Sequence, residues 1–121
     1  MRTLIAIILA LFLSTYSSAQ SCSDWIEIVK TQHINSSAYE SEDSKAVEKV
    51  TFYEVEKDSL TYYFAIVCLT TRSTFDCKEY IYQVSNSTEL YYALAYKKNP
   101  AMAYWKYIKP HNKYLNCGRA Y

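Results

Sequence analysis

The sequence predicts an α+β domain, a three- to four-stranded antiparallel β-meander followed by two C-terminal helices packed on one face. Three observations carry that prediction. Aromatic and β-branched runs alternate with turn chemistry through the middle of the chain, the pattern changes from strand alternation to helical spacing at Asn86, and two cysteines are placed to close a hairpin.

Trp25 to Val29 is a short, alternating, β-favourable run, and Thr31 to Ser44 after it is polar and rich in Ser, Asn and Glu; together they predict a strand and then a loop. Val50–Val55 and Leu60–Leu69 are dense in Val, Phe, Tyr and Ile, and Lys57-Asp58-Ser59 between them has turn chemistry, so a β-hairpin is expected. Cys77–Val84 resumes alternation, with Tyr80, Tyr82 and Val84 on one face and Ile81 on the other, which adds a third meander strand. If Cys68 and Cys77 lie directly opposite, Val67 faces Lys78, Ala65 faces Tyr80 and Tyr63 faces Tyr82, with both tyrosines on the face away from the cystine.

Asn86 with Glu89 three residues on resembles a capping box, and Leu90, Ala93 and Leu94 follow at helical spacing, predicting a helix to about Lys98. Lys97 and Lys98 then suit the negative end of its dipole. Asn99-Pro100 supplies a cap and first position for a second helix with a stripe of Ala101, Tyr104, Trp105 and Ile108. Pro110 should end it and leave an irregular tail, tied down through Cys117.

The N-terminus carries a different signal. Arg2, ten apolar residues from Leu4 to Leu13, and the small Ser17-Ser18-Ala19 have the three parts of a secretory leader cleaved near Ala19. Ten helical residues reach only about 15 Å, half of a bilayer's hydrocarbon thickness, so the segment is too short to span. A lipidated Cys22 would need a leucine and small residues before it, which Ala19-Gln20-Ser21 lacks. The expected location is therefore periplasmic or secreted, in an oxidising compartment. There the even cysteine count predicts two disulfides, and the favoured pairing is Cys68–Cys77 and Cys22–Cys117.

Once Arg2 is removed, twelve basic residues balance twelve acidic ones, but the two signs are separated. Residues 20–56 hold eight acids and three bases, whereas the chain from Lys97 onward holds five lysines, Arg119 and no acid. Function classes can be excluded from what is missing. With Gly118 as the one glycine, phosphate-cradling loops, dinucleotide turns and a nucleophile elbow are ruled out. Close cysteine pairs for zinc are absent, His33 and His111 have no spaced partner, and no metal or cofactor is expected. An acid-pair hydrolase would have to draw on Glu54, Glu56, Asp58 and Glu79.

Fourteen tyrosines are the unusual abundance. Their rings suit both sheet packing and a binding surface. Lys106, Lys109 and Lys113 fall on about one side of the second helix and its exit, beside Tyr104, Trp105 and Tyr107. Cations interleaved with aromatics can hold a phosphate backbone and stack bases, or engage a sugar or an acidic partner. The candidate binding residues are accordingly Tyr80, Tyr82, Tyr104, Trp105, Lys106, Lys109 and Lys113. Asn35-Ser36-Ser37 and Asn86-Ser87-Thr88 match the N-glycosylation pattern, which matters only in a eukaryotic host.

Ser44-Lys45-Ala46-Val47, Val50-Thr51-Phe52-Tyr53, Tyr80-Ile81-Tyr82, the Leu90–Ala95 helix and Ala103-Tyr104-Trp105-Lys106-Tyr107-Ile108, in that order, resemble the KTSC domain. This short module is named after the C-terminal region of some lysyl-tRNA synthetases and also occurs alone in bacterial proteins. The resemblance divides the chain into a leader (1–19), an N-terminal extension of strand plus loop (20–43) and a KTSC-like domain with its tail (44–121). The chain departs from that pattern in its exported extension, its extended Cys68–Cys77 hairpin and its Asn99-Pro100. The family has no established activity, and the resemblance implies at most RNA binding. The function expected overall is that of an exported, non-enzymatic interaction module for an unspecified protein or glycan partner. The alternatives are nucleic-acid binding through the basic-aromatic helix face, or hydrolysis by an acid pair.

Overall fold

In the computed structural model, which describes residues 21–41, 46–71 and 77–119, four strands succeed one another in sequence and in space. They are β1 (Asn35–Glu40), β2 (Val47–Lys57), β3 (Leu60–Thr70) and β4 (Cys77–Val84), all antiparallel in the order β1-β2-β3-β4. Helix α1 (Cys22–Gln32) precedes them. Helix α2 (Thr88–Ala95) and the helical stretch opened by α3 (Pro100–Ala103) follow and pack on the sheet. The α+β meander with two C-terminal helices is thus the observed fold, with four strands. The leader at residues 1–19 lies outside the described residues.

The β2–β3 hairpin closes through Asp58 and Ser59 alone, with Lys57 paired to Leu60. Both turn residues have positive φ, 54° and 67°, as a two-residue turn needs if it is to match the right-handed twist of its strands. A bulge between Val47 and Lys49 reverses the alternation, so Val47 and Val50 both reach the same core.

Both predicted disulfides are present, with Cα–Cα separations of 5.5 Å for Cys22–Cys117 and 5.2 Å for Cys68–Cys77. The predicted β3–β4 register, however, is two residues off. Thr70 faces Cys77, Cys68 faces Glu79, and Ala65 faces Tyr82, so the cystine runs diagonally across the ladder. This register sets Tyr82, a large ring with no exposed surface, across from small Ala65 rather than Tyr63, which leaves room above it for the helices. A shift of two preserves faces, and Tyr80 and Tyr82 do lie opposite the cystine side.

Four local expectations are corrected. Trp25–Val29 is helical, because Ser21 and Asp24 form a reciprocal capping box and helical spacing brings Trp25, Ile26 and Val29 onto one apolar cluster. Part of the predicted polar loop is β1, an edge strand on which Tyr39 packs inward and the rest stays largely open, so it needs little apolar character. The first C-terminal helix has Ser87 rather than Asn86 at its N-cap position, without a side-chain cap bond, and ends at Ala95 rather than near Lys98. At its start the Thr88 hydroxyl accepts a hydrogen bond from the Ser85 backbone N–H, and Glu89 bonds Tyr39 instead of closing a capping box.

The second C-terminal helix does not stop at Pro110. Asn99 caps it as expected, its side-chain oxygen accepting from the Met102 N–H at 3.1 Å. Proline removes one backbone donor, and its ring excludes the carbonyl four residues earlier. The chain accommodates this by widening into a π turn (Tyr104–Ile108), in which the Lys109 N–H reaches the Tyr104 carbonyl, and then tightening into a 3-10 turn (Lys109–His111). A last turn, α4 (Asn112–Leu115), ends at left-handed Asn116. The tail beyond carries the chain's one glycine for steric reasons: a Cβ at Gly118 would stand 2.5 Å from a Tyr82 ring carbon and 2.6 Å from the Asn112 side-chain oxygen.

Each face of the sheet has its own core. The helical face buries Val50, Val67, Tyr82, Tyr92, Tyr104 and Ile108; the opposite face buries Val29, Val55, Phe64, Ile66, Ile81 and Cys117.

Candidate functional site

The seven candidate binding residues are dispersed. Tyr82 and Tyr104 are buried, their hydroxyls sharing a hydrogen bond while the Arg119 backbone N–H donates to Tyr82 at 3.3 Å. Burial pushes both phenols above the usual tyrosine range, and at Tyr104 the bond with Tyr82 adds to the effect. Neither ring is open to a ligand. Tyr80 is half-buried against the same core, with Lys78 Nζ 5.3 Å from its ring centroid.

Trp105 and Lys109, four residues apart, form a pair in which the ammonium sits 3.8 Å from the indole centroid and is itself buried. Trp105 remains 56% exposed and lines a recess with Val47, Leu69 and Arg119. Lys106 faces elsewhere, beside Met102 and Tyr107, and Lys113 lies over Tyr114. The predicted cationic row is therefore split across separate surfaces, because the π turn changes the angular step between Tyr104 and Ile108.

The four acids of the acid-pair alternative are spread over both faces of the sheet and its hairpin end. Glu54 belongs to the helical face and Glu79 to the opposite face, where both Glu79 oxygens lie 2.8 Å from Lys30 Nζ. Glu56 and Asp58 are exposed at the hairpin end. His33 is spent on the end of α1, its Nδ1 3.1 Å from the Val29 carbonyl. His111 Nε2 lies 3.4 Å from the Thr88 hydroxyl, and burial, followed by Lys113, lowers its pKa. Asn35 and Asn86 are both exposed. Among the described residues one group of three potential metal ligands, Glu48 with Cys68 and Cys77, falls within 4.8 Å, but both its sulfurs are bound in the cystine.

A different surface gathers the features that binding requires. Helix α2 buries Thr88 and Tyr92 against the sheet, yet on its outer side Leu90 is 61% and Leu94 is 77% exposed. Leu90 and Leu94 of the stripe seen in sequence thus lie away from the core, which takes Tyr92 instead, and Ala93 is half-buried. A groove of about 470 Å³ separates α2 from the second helical stretch. Leu94, Met102 and Tyr107 supply its apolar lining, and Lys98 and Lys106 stand on it. Tyr91 extends the surface by stacking on Tyr107 at 5.6 Å, rings 13° from parallel.

Glu89 is the one acid from Thr88 to the end of the chain, and its carboxylate is drawn toward β1, accepting from the Tyr39 hydroxyl at 2.7 Å. The sequence reading missed Leu90, Tyr91, Leu94, Lys98, Met102 and Tyr107 as a surface. The available signal was that α2 carries two apolar stripes, one more than a helix lying on a sheet can bury.

These features define a small cystine-stapled α+β module with an apolar, lysine-rimmed outer face on its C-terminal helices. No protein-family model, curated protein or solved structure matches the chain. Among the described residues no helix is long and apolar enough to cross a membrane.

Proposed function

We propose that this chain is an exported, non-catalytic interaction module of KTSC-like build that binds through the outer face of its C-terminal helices. One observation carries the reading: Leu90, Leu94 and Met102, each more than half exposed, adjoin Lys98 and Lys106, and among the described residues no carboxylate lines the groove they share. Contiguous apolar surface left in water on a small domain marks a contact site. Export is supported by the basic-apolar-small leader pattern and by the two cystines, which persist in oxidising compartments. The KTSC-like build is supported by the order of its short motifs and by strands that precede two helices.

The test is retention of envelope and extracellular material on the oxidised protein, purified after export, compared with a Leu90→Ser/Leu94→Ser variant. Both side chains face solvent, so the variant should fold normally. Material held by the parent and released by the variant is the expected result, and identical retention by both would remove the reading.

A further inference from the structure

The geometry points to an anionic lipid bilayer as the surface this face meets; the inference rests on the reading of that face as the module's binding surface. Helix α2 is apolar on two opposite sides: Tyr92 lies in the core while Leu90 and Leu94 project outward. A helix of that kind is ordinarily covered on both sides. Here the outer leucines project as knobs, and Leu94 has the greatest exposure among the large apolar residues described. Projecting knobs suit insertion between lipid headgroups better than they suit the lining of a protein's pocket.

The polar groups agree with that choice. Tyr91 and Tyr107, stacked beside the leucines, offer flat rings with hydroxyl tips, the side-chain form enriched where hydrocarbon meets water. Lys98 and Lys106 can lay their stems on the apolar groove and lift their ammonium groups to headgroup phosphates. Among the described residues neither is ion-paired. Both carry compact point charges on long stems, with Lys106 Nζ 5.5 Å from the Tyr107 ring centroid, and such charges suit a diffuse anionic surface; a fixed carboxylate on a protein is better matched by the planar fork of an arginine, and Arg119 lies in the separate Trp105 recess. Among the described residues from Thr88 onward Glu89 is the one acid, and its carboxylate is turned to Tyr39 rather than toward the leucines, so it does not oppose approach to such a surface.

The experiment is co-sedimentation of the oxidised, exported protein with vesicles of phosphatidylcholine alone and of phosphatidylcholine containing phosphatidylglycerol. Binding is expected to the anionic vesicles and to weaken with salt. Lys98→Gln and Lys106→Gln should each lower the affinity about fivefold. Leu90→Ser/Leu94→Ser should lower it by at least about tenfold, and Lys113→Gln, away from this face, should match the parent. Equal binding to both vesicle types, no sedimentation with either, or a leucine variant that binds like the parent would overturn the proposal. So would a dimer in solution that Leu94→Ser dissociates, or an acidic protein or single-stranded nucleic acid that outcompetes the vesicles at this face. Failure with vesicles while the leucine variant still releases envelope material would sink the lipid alone; if that variant also retains everything, the reading of the face falls with it.

Discussion

The two faces of the sheet are held by different means. On the helical face, Tyr82, Tyr92, Tyr104 and Ile108 join Val50 and Val67 in a continuous core supplied by three strands and two helical stretches. On the opposite face α1 contributes a single fully buried residue, Val29, with Trp25 and Ile26 partly covered, and the helix is anchored by the Cys22–Cys117 cystine and the Lys30–Glu79 ion pair. The comparison teaches that a short amphipathic helix with little to bury can be held by a covalent tie. The residues that stabilise this domain are therefore unevenly shared between its sides.

The sharpest way to break this comparison is to remove the tie. In the chain-entropy model a cystine closing a loop of 95 residues contributes about 4 to 5 kcal/mol. Cys22→Ser/Cys117→Ser should lower the unfolding free energy by about that much. Hydrogen exchange should lose protection in α1 first while β3 and α2 keep theirs until global unfolding. Uniform loss over both faces would mean that α1 is integral to one cooperative core.

The helical face has its own weak point, which lies at high pH. Tyr92 is fully buried, and burial pushes its phenol to about 12; Tyr39 reaches about 12 by partial burial and its bond to Glu89. Each binds its proton more tightly when folded. Stability is thus unaffected below the unfolded value near 10 and is lost as the pH rises from there through 12. For Tyr92 the full loss is about 3 kcal/mol as an order of magnitude. A stability profile flat to pH 10 and falling beyond it, with Tyr92→Phe removing part of the fall, is the expected result. A fall of the same size with Tyr92→Phe would place the loss elsewhere.

A smaller change probes the hydroxyl pair on that face. Tyr104→Phe leaves the Tyr82 oxygen with only the longer Arg119 N–H, and about 1 to 3 kcal/mol should be lost in chemical denaturation. Because Tyr82 and Tyr104 share one bond, the Tyr82→Phe/Tyr104→Phe double variant should lose less than the sum of the single variants. Additive losses would show that the two hydroxyls are not coupled.

The division between the faces was only half visible in the sequence. Strands β2, β3 and β4 could be read because strand alternation and turn residues are local signals, and Asn99-Pro100 announced its helix by cap chemistry. Helix α1 was lost because Trp25-Ile26-Glu27-Ile28-Val29 satisfies alternation as well as helical spacing, and only the Ser21–Asp24 capping box tips the balance. Strand β1 was lost because an edge strand needs one inward ring, Tyr39, and little else. The register missed by two because a cystine can join diagonal as well as opposed residues. In the candidate site, lysine and aromatic content could be read, but which of them share a surface could not. That depends on the π turn before Pro110 and on α2 turning Tyr92, rather than Leu94, toward the sheet.

The smallest expected effect sharpens the account of α1. The Lys30–Glu79 pair joins α1 to β4, but its side chains are 41% and 35% exposed, so water and salt screen it. A double-mutant cycle with Lys30→Gln and Glu79→Gln should give a coupling of about 0.2 to 1 kcal/mol that shrinks at high salt. If the cystine is the dominant anchor, the coupling keeps that size while the disulfide is intact, and α1 remains protected in both single variants. A coupling well above 1 kcal/mol that persists in salt would instead make the charge pair a principal anchor of α1, and the contrast between a self-sufficient face and a covalently tied one would no longer hold.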